Sequence, residues 1–397
     1  MTNQKQRICD YIDQISPELL KLSADIHANP ETLFNEYKSS GFIVELLKKH
    51  GYTVTEKYCG IDTSFRASKK GNGTGPKIAF FAEYDALPEI GHACGHNVIA
   101  TCATGAFLAV AQMMEEYAGE ISIIGTPAEE GGGGKILILD AGGFEDIEYG
   151  IMMHPSSGRS IIGRGGRAAT GMTIDFKGKA AHSSDPSGGI NALNAVISTF
   201  NHIDMIRPTL NIQSNINGII TKGGSAANAI PDYAQCKFSL RASTLIELEK
   251  LVESVKRCVA SAELLTGAKA EIKVSLMSAE RYPNLPMGEA LKANMLTLGE
   301  EMGYPDPNAL VGSSDIGNVS IVLPCIHDYL YIAPDGVNSH NADFTVASIS
   351  PRANEICIKG AKGLAMTALD ILEKPELQDE INAYYEKQIP AVYKERK

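Results

Sequence analysis

The sequence lacks any apolar run approaching the roughly 18 residues that a membrane-spanning helix needs. It also lacks an excess of positive charge: 36 lysines and arginines stand against 47 aspartates and glutamates, a formal charge of −11. Nucleic acid and anionic membrane surfaces both call for clustered positive charge, so neither is expected as a main partner. No C-x-x-C pair occurs among the eight cysteines, at positions 9, 59, 94, 102, 236, 258, 325 and 357. In a chain of 397 residues that scatter reads as reduced thiols, not a disulfide framework. The opening Met-Thr-Asn-Gln-Lys-Gln-Arg leads into a polar helix instead of an apolar signal core, and the expected location is cytoplasmic. Low-complexity tracts and internal repeats are absent. What is present, 44% hydrophobic and 21% charged residues, is the composition of a folded globular chain. Its length suggests two or three domains at roughly 150 residues each.

The N-terminal part alternates helix and strand patterns. Ser16 and Pro17 make an N-cap and first-turn pair for a helix toward His27, with Pro30 beyond it. A second helix fits residues 40–50, with Phe42, Ile43, Leu46 and Leu47 on one face and Gly51 as its end. Short apolar, β-rich runs follow at 78–83, 121–126 and 149–154. A long helix over about 97–117, capped by Asn97, separates the first two. Strands alternating with helices imply an α/β layered domain with a largely parallel sheet.

The middle of the chain changes character. Met172, Ile174 and Phe176 alternate with polar residues, as do Cys236, Phe238 and Leu240, and again Ile272, Val274 and Leu276. Helical spacing appears at Ile190, Leu193, Val196 and Phe200, and at Leu248, Leu251, Val252, Val255 and Val259. Thr244 and Glu247 form a capping-box pattern before the second of these, and Gly267 ends it. With a weaker strand near 216–221 the order is βαββαβ, a ferredoxin-like α+β arrangement. The expected organisation is an α/β domain of residues 1–168 and 284–397 interrupted by a smaller domain of 169–283.

The chemistry concentrates at three strand ends. Residues 83–97 (Glu-Tyr-Asp-Ala-Leu-Pro-Glu-Ile-Gly-His-Ala-Cys-Gly-His-Asn) follow the first strand; Glu129 and Glu130, trailed by four glycines, follow the second; His154 closes the third. The carboxyl ends of such strands are where open α/β sheets bind ligands. Cys94, His96, Glu129, Glu130 and His154 therefore converge on one edge. Thiolate, imidazole and carboxylate suit a borderline transition metal, zinc first. Two adjacent glutamates on extended chain would point differently, one serving as ligand and one as general base.

Competing readings are weaker. Cys94 as a nucleophile with His96 as its base would leave both glutamates and His154 without work. Residues 130–135 resemble a phosphate loop, but Ile136 stands where a magnesium-binding Ser or Thr is required. Residues 163–168 loosely fit a dinucleotide glycine pattern, yet they precede a strand instead of opening a helix. His327, after a short apolar run, reads as a satisfied core histidine.

Taken in order, the motifs are His27-Ala-Asn-Pro-Glu31, Asp85-Ala-Leu-Pro88, His92-Ala-Cys-Gly-His96, Pro127-Ala-Glu-Glu-Gly131, His154, Gly178-Lys-Ala-Ala-His182, Asn228-Ala-Ile-Pro-Asp232 and a late His340. This series resembles the di-metal aminoacylase/carboxypeptidase family of metallopeptidases over nearly the whole chain. The similarity is greatest to its H-A-C-G-H amidohydrolase branch, with amino-acid-conjugate, aminoacylase-like and p-aminobenzoyl-glutamate hydrolases. The resemblance implies a di-metal peptidase-type α/β domain with an inserted ferredoxin-like lid that also dimerises. It implies two divalent ions per subunit, zinc or alternatively manganese or cobalt, held by Cys94, His96, Glu130, His154 and His340, with Cys94 bridging. Glu129 would be the general base and Asp85 would orient a ligand. On the lid, His182 would polarise the scissile carbonyl, reaching into a partner subunit, while Asn228 and Arg241 would hold the substrate.

The implied activity is amide hydrolysis of N-acyl amino acids or dipeptides by a homodimer or higher oligomer, with p-aminobenzoyl-glutamate as an alternative substrate. Two positions depart from the pattern: Asn97 where many relatives carry Asp, and Glu83 where Asp or His is common. Asp315, in Gly312-Ser-Ser-Asp-Ile-Gly317, resembles a C-terminal loop that scaffolds the site. A non-catalytic binding protein on the same scaffold is the rival of another class. Retention of Glu129 together with every expected ligand speaks against it.

Overall fold

In the strand Lys77–Ala82 every residue but the first is buried, because it sits between two apolar layers. Ile78, Phe80 and Ala82 join one core cluster, and Ala79 and Phe81 join another. That two-sided burial is the mark of a covered parallel sheet. The structure, a computed structural model, describes residues 1–307, 309 and 311–395. The chain forms two compact units, Met1–Gly165 with Arg281–Lys397, and Gly166–Glu280.

The larger unit carries an eight-stranded sheet. Its parallel centre runs Glu120–Gly125, Lys77–Ala82, Tyr149–Ser157, Cys325–Ala333. Phe65–Lys70 is antiparallel to Glu120–Gly125. Helices Asn3–Ala28, His96–Ala111 and Pro351–Glu373 pack together over one face of the sheet. The second, smaller cluster is closed by Ile138, Phe144, Ile316 and Val319 on the other.

The first helix begins at Asn3, not near Ser16. Thr2 caps it by accepting from the Lys5 backbone N–H. Pro17 lies inside, and the carbonyl of Asp13, which would have served its missing N–H, accepts from the Ser16 hydroxyl at 2.8 Å. A stripe of Ile8, Ile12, Ile15, Leu19, Leu22 and Ile26 runs through the proline without interruption. Pattern outweighed punctuation here. Asn97 is likewise not a cap. The central helix starts at His96 after Gly95 (φ 76°) and stops at Ala111, short of 117. The Asn97 amide is spent on Ser23 Oγ (2.9 Å) and the Ser348 carbonyl (2.8 Å), binding three segments at one point.

The smaller unit is a four-stranded antiparallel sheet in the order Lys269–Val274, Ala168–Lys177, Tyr233–Ala242, Asn215–Lys222. Helices Ala192–Ile206 and Leu245–Thr266 pack against it through one core. The βαββαβ order and its 4-1-3-2 strand arrangement are ferredoxin-like, in line with the alternation in sequence. Thr244 caps its helix at the Glu247 N–H, and Gly267 (φ 79°) ends it.

Asp370 anchors the chain's beginning. Its carboxylate is almost fully buried and accepts from Lys5 Nζ at 2.7 Å and Asn294 Nδ2 at 2.9 Å. Burial opposes its charge, but Lys374, Lys5 and Asn294 together hold the carboxyl below the usual range. A depressed folded pKa means stability that is present above about pH 4 and lost as pH falls through the folded value. Asp370→Asn should lower the unfolding free energy by about 1.5–3 kcal/mol at neutral pH. The gap to wild type, measured by denaturant titration, should narrow below about pH 4. A gap that stays constant into strong acid would contradict this account.

Candidate metal centre

Four connections in the larger unit deliver the polar groups. Cys94 and His96 flank Gly95, where a β-carbon would lie 2.9 Å from Pro155 Cγ, so the turn closes directly onto the strand bearing His154. His340 arrives from the loop after Cys325–Ala333, in a left-handed backbone conformation (φ 66°) fixed by its N–H on the Ala93 carbonyl at 2.9 Å. Such a conformation in a non-glycine residue costs energy and collects at functional sites.

Two histidine tautomers follow from their partners. His96 Nδ1 lies 2.9 Å from Asp85 Oδ1, and His154 Nδ1 lies 2.6 Å from the Pro155 carbonyl. An acceptor at Nδ1 keeps the proton there, so both rings turn a bare Nε2 inward. Cys94 Sγ is 3.4 Å from His154 Nε2 and 3.7 Å from His340 Nε2, which is 3.3 Å from Glu130 Oε1. His96 Nε2 is buried without a hydrogen-bond partner. Donors about 2.0–2.3 Å from one tetrahedral cation stand roughly 3.3–3.8 Å apart, so these spacings fit metal coordination. Cys94, His96 and His154 form one such group, and Cys94, Glu130 and His340 a second. Cys94 is common to both.

The glutamate pair is not on extended chain. It sits in a tight turn after Glu120–Gly125, opened by Ala128 at φ 57°. Two of the glycines that follow are packing residues: a β-carbon on Gly134 would meet the Pro127 carbonyl at 1.8 Å, and one on Gly132 would meet Ala128 Cβ at 2.5 Å. Asp85 braces the turn too, its Oδ2 accepting from the Glu130 N–H at 2.9 Å while Oδ1 holds His96.

The turn splits the two carboxyls electrostatically. Burial and the neighbouring Glu83, Glu130 and Asp315 push Glu129 well above the usual carboxylate range. Burial acts on Glu130 as well, but the lowering influences, led by the hydrogen bond with His340, overcome it and hold this group at about 2. Environments that pull two carboxyls apart in this way suit one as proton carrier and the other as permanent anion.

Lys135 escaped the sequence reading. The residue that looked like the end of a failed phosphate loop is a fully buried ammonium bonded to Asp315 Oδ1 at 2.7 Å and to Glu83 Oε1 at 2.5 Å. Its backbone N–H also donates to Asp315 Oδ2, so Asp315 is the scaffold its loop suggested. One charged residue ahead of Ile-Leu-Ile-Leu was the available signal. His327 is a half-satisfied histidine. Arg281 occupies its Nδ1, and its buried Nε2 has no hydrogen-bond partner.

The remaining residues lie on the smaller unit. His182 pairs opposite Ala229, and the Ser183 N–H donates to the Asn228 carbonyl, so His182 and Asn228 are neighbours. Arg241 is elsewhere: it pairs with Ala169, whereas the end of the sheet leading to His182 is marked by the Tyr233–Lys177 pair. Eight residue steps of strand separate those pairs, roughly 26 Å.

Residues 164–265 match a family described as a peptidase dimerisation domain, M20_dimer. The Xaa-Arg dipeptidase of Mus musculus is 35% identical over 392 residues, spanning 94% of this chain and 90% of its own. The Homo sapiens protein of the same name is 34% identical over 95% of this chain and 91% of its own. A p-aminobenzoyl-glutamate hydrolase component of Escherichia coli is 29% identical over 72% and 61% respectively. Among solved structures, the aminobenzoyl-glutamate utilization protein of Klebsiella pneumoniae superposes with a TM-score of 0.71 at 20% identity, covering 89% of this chain and 98% of its own. A dinuclear metal-binding M20 peptidase of Bacillus subtilis gives 0.66 at 20%, covering 91% and 99%. These two likenesses speak to the fold alone, but identity at one position in three along nearly the full length decides the family. The chain belongs to the M20 peptidase family and is a hydrolase of peptide or amide bonds.

Proposed function

We propose that the protein is a metal-dependent dipeptidase, acting also on N-acyl amino acids, in which Cys94, His96, Glu130, His154 and His340 hold two divalent cations. The observation that carries this reading is the convergence of those five donors at coordination spacing, with Glu129 beside them. The dipeptidase names of relatives matching nearly end to end favour a dipeptide over p-aminobenzoyl-glutamate, whose hydrolase matches over less of the chain. A thiolate and three imidazoles make zinc the first choice, with manganese or cobalt as alternatives.

Bound there, such cations supply Lewis acidity that lowers the pKa of a water and polarises the carbonyl. Glu129 accepts the proton of the attacking water and returns it to the leaving nitrogen, so water adds across the C–N bond and an acid and an amine depart. Asp85 keeps the His96 ring in its ligating tautomer. In the proposed reaction His182 and Asn228 would polarise the carbonyl oxygen, and Arg241 would take the carboxylate of the C-terminal amino acid.

A dipeptide cannot span the roughly 26 Å between the Arg241 and His182 ends of one sheet. If both groups serve one substrate, they come from two copies. The edge strand Asn215–Lys222, with Ile219 and Ile220 exposed, is an unpaired surface of the kind that joins such copies. The assembly proposed is therefore a homodimer.

Release of free amine from dipeptides, N-acyl amino acids and p-aminobenzoyl-glutamate tests the substrate class. Hydrolysis of dipeptides that stops on chelation is expected; turnover of p-aminobenzoyl-glutamate alone would overturn the assignment. Glu129→Gln should retain metal and lose about 10²–10⁴-fold in kcat. Glu130→Gln should lose metal instead, and equal metal loss in both variants would reverse the roles. Mixing His182→Ala with Glu129→Gln subunits should restore about a quarter of wild-type activity, since half the dimers then hold one intact site. No recovery in a preparation shown to contain mixed dimers would place His182 in its own chain's site or outside catalysis.

A further inference from the structure

Leu33 and Phe34 are consecutive non-glycine residues in the left-handed backbone region, at φ 44° and 64°. For side chains of this bulk that conformation is an outlier, and it persists only where the surroundings over-determine it. They do so here. The buried carboxylate of Glu36 accepts from the Phe34 N–H at 3.0 Å, the Ala128 N–H at 3.1 Å and the Thr63 hydroxyl at 3.0 Å. Asn35 Nδ2 donates to the Thr32 and Leu33 carbonyls at 3.1 and 3.0 Å. Upstream, the Glu31 carbonyl accepts from the Ala86 N–H at 2.7 Å.

These bonds place the strained pair. Ala86 follows Asp85, and Ala128 opens the turn of Glu129 and Glu130, so residues 31–36 tie together the two segments that bring those acids to the metal centre. Phe34 is the inner member: a β-carbon on Gly132 would lie 2.8 Å from its Cε2, so its ring rests on the glutamate turn. Leu33 is the outer member and is 44% exposed. Single exposed leucines are ordinary on a protein surface and need no reason. This one differs, because a strained and firmly held backbone presents it next to the glutamate turn.

We propose that Leu33 is a specificity-determining residue, receiving an apolar side chain or acyl chain on the N-terminal side of the scissile bond. The inference rests on the reaction assigned above. There His182, Asn228 and Arg241, all on the smaller unit, serve the carbonyl oxygen and the C-terminal carboxylate. The acyl half of the substrate is left to the larger unit, where Leu33 offers apolar surface beside the turn that carries Glu129. An aliphatic chain laid against Leu33 leaves water, whereas a glycyl or acetyl group has little to bury there. Phe34 and Glu36 are positioning residues: one seats the loop on the glutamate turn and the other fixes its backbone.

Initial rates on N-acetyl, N-butanoyl and N-hexanoyl derivatives of one amino acid test this, using an amino acid that the amine-release panel shows to be accepted. A methylene taken out of water is worth about fourfold in kcat/KM. Wild-type kcat/KM should therefore rise at least about fivefold from the acetyl to the butanoyl substrate, and rise further with hexanoyl. Leu33→Gly suits the left-handed backbone and so keeps the loop; it should cut the butanoyl preference to below about twofold. A flat or reversed wild-type preference would overturn the inference, a result that needs no variant to fold. So would an unchanged preference in Leu33→Gly, or a loss shared equally by all three substrates, which would make Leu33 a residue of the fold alone. Wild-type protein that releases no amine from any dipeptide or N-acyl amino acid would overturn the assigned reaction itself, and the inference with it.

Discussion

Like charge gathered out of water is the constraint on which this structure depends. Glu83, Asp85 and Asp315 are buried with Cys94 and beside Glu129 and Glu130, and Lys135 is the one fully buried ammonium among the described residues. One ammonium cannot compensate so many acids in a medium where an unpaired charge costs several kcal/mol. The strand ends, the left-handed turns at Ala128 and His340 and the packed glycines all hold these groups together against their repulsion. On the proposed reading, cations held at its centre would offset this repulsion and tie metal binding to the integrity of this sheet edge.

Much of this was legible in sequence because the information was local. Cys94, His96, Glu129, Glu130 and His154 each stand at the end of an apolar run or in the loop that follows one, and parallel strands place their carboxyl ends on one side. The inserted domain was equally visible, since period-two alternation in Met172–Phe176 and Cys236–Leu240 reports a half-buried sheet without any knowledge of partners. Where local signals conflicted, the longer pattern won. Ser16-Pro17 looked like a helix start, but the stripe from Ile8 to Ile26 carried the helix through it.

The unread features share a different cause. Lys135 meets Asp315 across 180 positions of sequence, and Arg281 meets His327 from a different segment. No spacing rule links such pairs, so a buried ammonium drew notice only as the end of a rejected nucleotide-loop pattern, and a half-satisfied imidazole was read as a satisfied core residue. Glu83 stood out in sequence only as a departure; the structure gives it two oxygens with unlike surroundings, one neutralised by Lys135 and one not. Substitution at a site can thus be compensated far away in the chain.

The central claim is that Cys94 joins two cations into one centre. X-ray absorption at the metal edge of the two-ion protein examines that directly. The account predicts a sulfur scatterer near 2.3 Å among nitrogen and oxygen near 2.0 Å, together with a metal–metal vector at about 3.5 Å. A shell of nitrogen and oxygen alone, with no second metal in range, would contradict it.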